Sequence, residues 1–158
     1  MPTDLLWDQV GSLLDPEING VLPDVHVPGT SVADWQAVFD LIRTKGWRYE
    51  YSVDNIALRL PQASELSSLS GTASPVLRVW PTPKFLAIFR FYADETIDFD
   101  IDLRELQGQQ QLNLLCGFLR AIGRHLGKPV LMTPEGDDRH PVLGFDVAAD
   151  RVALLAAP

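Results

Sequence analysis

Cysteine is nearly missing from this chain: Cys116 is the only one in 158 residues. No disulfide can close within the chain and no cysteine-based zinc site can form, which fits a reducing compartment. Positive charge is also scarce, with 13 Lys+Arg against 21 Asp+Glu and a formal net charge of -8. Such a chain gains nothing from counterion release on a phosphate backbone and is repelled by anionic lipid, so the expectation is no nucleic acid and no membrane as partner. No stretch approaches the roughly 18 apolar residues that span a bilayer. The first fifteen residues hold Asp4, Asp8 and Asp15 and no basic residue, which is unlike a secretory signal. A cytoplasmic protein is expected. The G-x-S-x-G elbow and the phosphate-cradling glycine loop are both lacking, and no cofactor is implied.

What is present is an apolar fraction of 46%, enough to give a chain of this length one core and to exclude wholesale disorder. Residues 1–158 read as a single domain, with 1–29 an N-terminal helix and a Pro/Gly-rich arm and 30–158 the core. Leu6, Val10, Leu13 and Leu14 share one face of a short helix over 4–14, with Thr3 as its N-cap. Asp15 to Gly29 reads as an irregular strap holding at most a short extended piece at Val25–Val27. Ser31 with Asp34 forms a capping box, and Trp35, Val38, Phe39 and Ile42 make the apolar stripe of a helix that Gly46 ends.

The period then changes to two. Trp47, Tyr49, Tyr51 and Val53 alternate with polar residues, and Asp54-Asn55 suits a tight turn. That hairpin pairs Val53 with Ile56, Tyr51 with Leu58 and Tyr49 with Leu60, and sets Glu50 against Arg59. A short helix is expected at 63–69 and a strand at Val76–Trp80 closed by Pro81-Thr82-Pro83. The most apolar strand, Phe85–Tyr92, is expected at the centre with both faces covered. Its partner is Thr96–Leu103. A three-residue turn, Ala93-Asp94-Glu95, pairs Phe91 with Ile97 and Phe89 with Phe99 and opposes Arg90 to Asp98, whereas a two-residue turn would set phenylalanines beside aspartates. A long helix from Arg104 to Leu126 carries the stripe Leu112, Leu115, Leu119, Ile122 and Leu126. Strands at Val130–Thr133, Val142–Val147 and Val152–Ala156 follow. Tight turns between strands imply an α+β fold, a largely antiparallel sheet with helices packed on one face.

The sharpest chemical feature is the ladder Asp98, Asp100, Asp102, three carboxylates on one face of a strand. Such alternation is first of all a solvent face. It also fits a protein-docking face, because like charges in a row repel unless something uses them, and it could offer oxygen ligands to Mg²⁺ or Ca²⁺. The context of a metal-dependent nucleotidyltransferase or nuclease is lacking. A second acidic run, Glu135-Gly136-Asp137-Asp138-Arg139-His140, reads first as solvated turn chemistry, with a metal site or an acid–base group as the alternative for a histidine beside two aspartates. His26 sits in the strap with no sequence-local partner. Cys116, beside the core stripe, reads as a small buried hydrophobe. Trp7, Trp35, Trp47 and Trp80 are core or groove-lining candidates.

The run from Ile97 reads IDFDIDLREL, then FLRAIGRHLGKPVLMTPEG, then PVLGFD. It resembles small acidic bacterial proteins that serve as immunity partners in toxin–immunity systems or belong to uncharacterised bacterial families; the likeness covers roughly the C-terminal third. The resemblance implies a cytosolic protein without catalytic residues that blocks a partner by occupying its active or docking surface. The charge is uneven: residues 1–42 hold seven acids and no Lys or Arg, and 94–105 hold six acids against Arg104. The expectation is a non-enzymatic binder of a basic protein. Its interface would use Asp98, Asp100 and Asp102 with Asp94 and Glu95, and Asp137 and Asp138 as a second patch. A metal-dependent hydrolase built on the ladder, or an oligomeric subunit, is the alternative.

Overall fold

Nine antiparallel strands form one sheet in the computed structural model, which describes residues 4–66, 73–137 and 139–155. The strands are β1 (Asp24–Pro28), β2 (Arg48–Val53), β3 (Ile56–Leu58), β4 (Pro75–Thr82), β5 (Phe85–Arg90), β6 (Thr96–Asp100), β7 (Val130–Thr133), β8 (Leu143–Asp146) and β9 (Arg151–Leu154). Their order across the sheet is β3-β2-β4-β5-β6-β1-β7-β8-β9. The helices are α1 (Trp7–Val10), α2 (Pro16–Asn19), α3 (Val32–Lys45), α4 (Ala63–Leu66) and α5 (Gln109–Leu126). This is the expected α+β architecture. No helix among the described residues is long and apolar enough to cross a membrane.

Alternation puts one face of every central strand into the core. Val25 and Val27, Leu77 and Val79, Phe85, Ala87 and Phe89, Ile97 and Phe99, and Val130 and Met132 are all buried. α5 lays its predicted stripe on this face and adds Phe118, which meets the rings of Phe85, Phe89 and Phe99 at 5.4–6.4 Å. Trp35 of α3 packs on Phe91 at 4.5 Å and on Phe89 at 6.4 Å. Edge-on and tilted ring pairs of this kind are worth about 0.5–1.5 kcal/mol each beyond their buried area. Gly46 and Gly127 close α3 and α5 in the left-handed conformation that an L side chain resists.

The largest departure from expectation is the strap. Asp15 caps α2 with Pro16 at its first position, and residues 24–28 form β1, which lies between β6 and β7 near the middle of the sheet. Two valines without a local partner suggest a peripheral segment, yet its partners come from the far end of the chain. The N-terminal helix is shorter than expected. α1 starts only at Trp7, with Leu6 as its extended N-cap, and gives way to a 3-10 turn at Gly11–Leu14; Leu5, Val10 and Leu14 are buried and Leu6 is exposed. Thr3 and Leu69 lie outside the described residues.

Smaller differences follow edges and ends. The β2–β3 pairs Val53–Ile56 and Tyr51–Leu58 form as expected, with Asp54 and Asn55 both at positive φ. β3 ends at Leu58, so Tyr49–Leu60 and Glu50–Arg59 do not pair. Glu50 accepts from Arg48 instead and faces Arg78 of β4. β3 is the sheet edge, which leaves Ile56 and Leu58 exposed. β4 runs on through Pro81 to Thr82 by a register shift. α5 begins at Gln109 because residues 103–105 form a separate 3-10 turn. β5 is central as expected, but only one of its faces is covered: Leu86, Ile88 and Arg90 are half-buried on the other.

Candidate functional site

That uncovered face of the sheet carries the site. The register builds two adjacent rungs of side chains on this face, open to solvent except at Thr133, which is buried. One runs Arg78, Ile88, Asp100, Asp24, Thr133 across β4-β5-β6-β1-β7; the next runs Val76, Arg90, Asp98, His26, Leu131. The β5–β6 register is the expected one, with Phe89 opposite Phe99 and Arg90 opposite Asp98, but β5 ends at Arg90 and β6 starts at Thr96, so the connection spans 91–95 in place of a three-residue turn and the expected Phe91–Ile97 pair does not form. The Arg90 guanidinium reaches diagonally: Arg90 Nε donates to Asp100 Oδ2 at 2.8 Å. Charge therefore changes sign along the sheet. Arg48, Arg78 and Arg90 stand on β2, β4 and β5, and Asp98, Asp100, Asp24 and His26 on β6 and β1. At the far side Arg48 covers Trp80 at 4.5 Å, a cation–π contact.

On the acidic half, a concavity of about 520 Å³ opens over Asp24, His26, Arg90, Asp98 and Asp100 and reaches Tyr92 at one end. Asp24 is crowded. Partial burial, a hydrogen bond to the Asp100 carboxyl and the negative charges of Asp100, Asp98 and Glu135 together push its pKa up from 3.8 to about 6. Burial also raises the Asp98 carboxyl, with Asp100 adding to the rise and His26 opposing it. Glu135 reaches back from the loop after β7, accepting from the Leu22 amide at 3.0 Å.

The remaining candidates are spread over three places. Asp102 lies past the end of β6. It caps the 3-10 turn through the Arg104 amide at 2.9 Å and holds the Arg104 guanidinium with both oxygens, and the arginine's hydrogen bonds keep its carboxyl below the usual range. Asp94 and Glu95 lie in the β5–β6 turn. That turn is latched to the start of α3: Thr30 Oγ1 donates to the Asp94 carbonyl, Thr30 N to the Glu95 carbonyl and Trp35 Nε1 to the Ala93 carbonyl. Beside it a cleft of about 300 Å³ runs between Trp35, Leu66, Phe91 and Tyr92, with Asp94 and Glu95 on its rim. The second acidic patch is a turn: Asp137 accepts from the Arg139 amide and from His140 Nδ1, and Asp138 lies outside the described residues.

The ladder is thus divided. Asp98 and Asp100 join Asp24 and His26, while Asp102 is held by Arg104. Asp24 and His26 escape sequence reasoning, although the alternation of Asp24, His26 and Pro28 with Val25 and Val27 is itself a strand signal. Among the described residues, no three His, Cys, Asp or Glu side chains converge as a set able to hold a metal ion. Cys116 is buried, and its thiol is pushed up to about 12 by desolvation, with Asp4 adding to the rise. Comparisons with models of known protein families, with curated protein sequences and with solved structures find no match.

Proposed function

We propose that this chain is a cytosolic, non-enzymatic binding protein. It engages a basic protein partner through the acidic half of its open sheet face, as an immunity or regulatory protein does. The observation that carries this reading is that register gathers Asp24, Asp98 and Asp100 on two adjacent uncovered strands, with Asp24 and Asp100 directly opposed and Arg90 and His26 as neighbours. Like charges set side by side work against the fold. A cationic side chain from outside would relieve that repulsion, so the energy the acids cost the free protein returns as attraction to the partner. Tyr92, 71% exposed, stands at the junction of the acidic concavity and the aromatic cleft. It offers the apolar anchor that fixed charges need, since charge sets on-rate and specificity while buried aromatic contacts supply most affinity.

The test begins with a photo-crosslinking side chain at position 92 and, as control, at position 56 on the β3 edge, in the cell that makes the protein. The expected product at position 92 alone is a basic protein. With that partner purified, the variant Asp98→Asn/Asp100→Asn should associate about tenfold more slowly, with a flatter salt dependence, Asp102 being left in place as the cap held by Arg104. An unchanged association rate removes Asp98 and Asp100 from the interface.

A further inference from the structure

The helical layer carries a groove of the opposite charge. α3 and α5 run antiparallel, as the pair Lys128–Asp34 shows: a residue just past the end of α5 reaches the start of α3 at 3.4 Å. Further along, Leu41 and Lys45 of α3 face α5, and a groove of about 490 Å³ opens there, walled by Lys45, Arg120, Arg124 and His125. Among the described residues no acidic side chain lines it, on a chain with a net charge of -8. Gly117 and Ala121 leave it room. A Cβ at Gly117 would meet no atom nearer than Arg120 Nη2, at 3.9 Å, so this guanidinium edge sits beside the open floor.

Two of the cations are held from elsewhere in the fold. Arg120 Nη1 donates to Asp4 Oδ2 at 2.6 Å, and Arg124 donates to both Asp150 oxygens at 2.6 and 2.9 Å. A guanidinium has five N–H donors, so an arginine fixed along one edge keeps others for a ligand and loses little freedom on binding. Among the described residues neither Lys45 nor His125 forms an ion pair, and both are exposed. Helix dipoles account for Lys45, Arg124 and His125 in the last turns of their own helices, but not for Arg120 in the middle of α5. They do not account for the convergence, because the antiparallel packing sets the C-terminal Lys45 against the middle of α5.

We propose that this groove docks a carboxylate-rich peptide segment of a protein partner, on the side of the sheet away from the acidic rungs. A peptide fits better than a nucleic acid. Its carboxylates can be few and local, whereas a phosphate backbone extends onto a surface whose overall charge repels it.

The probe is a fluorescein-labelled hexaglutamate, read by anisotropy against labelled hexaglutamine and a labelled oligothymidylate, at about 50 and 150 mM salt. Hexaglutamate should bind most tightly and weaken with salt. Lys45→Glu/His125→Glu should lower its affinity at least about tenfold while the protein stays folded, its melting temperature falling only by what the reversed charges cost the last turns of α3 and α5, since neither side chain forms an ion pair among the described residues. Lys45→Ala, which adds no charge, should give a smaller loss in the same direction. Equal binding of hexaglutamine, tighter binding of the oligothymidylate, or unchanged affinity in the folded variants would overturn the proposal.

Discussion

Replacing Asp24 by asparagine should stabilise the protein at neutral pH, and the structure sets both the sign and the size. In the fold the carboxyl titrates near 6 instead of 3.8, because partial burial and the neighbouring Asp100, Asp98 and Glu135 disfavour its charged form. Below 3.8 the group is protonated in folded and unfolded chains alike, and whatever it contributes is fully present. As pH rises through 6 it must ionise among other acids, and that stability is lost. Unscreened, the shift corresponds to about 3 kcal/mol. Asp24 faces water on the open sheet, so screening reduces the expectation to about 1 kcal/mol. The carboxamide of the Asp24→Asn variant would keep a donor toward Asp100 and could not ionise. Urea unfolding of both proteins should therefore coincide near pH 4 and separate above pH 6.5, the variant unfolding later at unchanged m-value. A variant no more stable than the parent at pH 8 would refute the reasoning. If the partner then binds the stabilised variant more slowly, the carboxylate is retained for binding at the expense of the fold.

Other expectations follow from packing. Alanine at Gly123 would overlap the Phe145 ring, with Cγ and Cε2 at 2.7 Å, and should cost about 2 kcal/mol despite a better helix propensity; alanine at Gly117, in open space, should add up to about 1 kcal/mol. Urea midpoints that move together would contradict this. Asp4 Oδ2 accepts from both Arg120 and the Val152 amide, tying the N-terminal segment to α5 and β9. Asp4→Asn should lower stability by about 1–2 kcal/mol, and an unchanged melting curve would show that the contact is idle. Cys116, buried with its thiol near 12, should resist a thiol reagent in the native protein and react only on unfolding; prompt stoichiometric labelling of native protein would contradict its burial.

Where a signal is local, it was legible. The Ser31–Asp34 capping box, the Gly46 and Gly127 stops and the Asp54-Asn55 turn are each decided by residues within a few positions, and all form as read. The β5–β6 register was also legible, because shifting it by one residue would turn Phe89 and Phe99 away from the core. What could not be read was which distant strand a short segment would join. Residues 24–28 bear the same alternation as an edge strand or a solvated strap, and only pairing with β6 on one side and β7 on the other makes them central.

The site inherits that gap. Read along the chain, acidity was strongest in Asp98, Asp100 and Asp102, neighbours in sequence at every second residue. Read across the sheet, the stronger neighbours are Asp100 and Asp24, which no sequence window contains together. Asp102 leaves the group because β6 ends before it and a following amide and guanidinium engage its carboxylate. A charge surplus is a property of composition, but a binding surface is a property of register. On this fold register crowds acids onto the open β6–β1 strands and sets arginines on the neighbouring β2, β4 and β5, while helix packing turns further cations outward between α3 and α5. Each surface can then attract a partner that the other would repel, which a chain with its charges evenly mixed could not do.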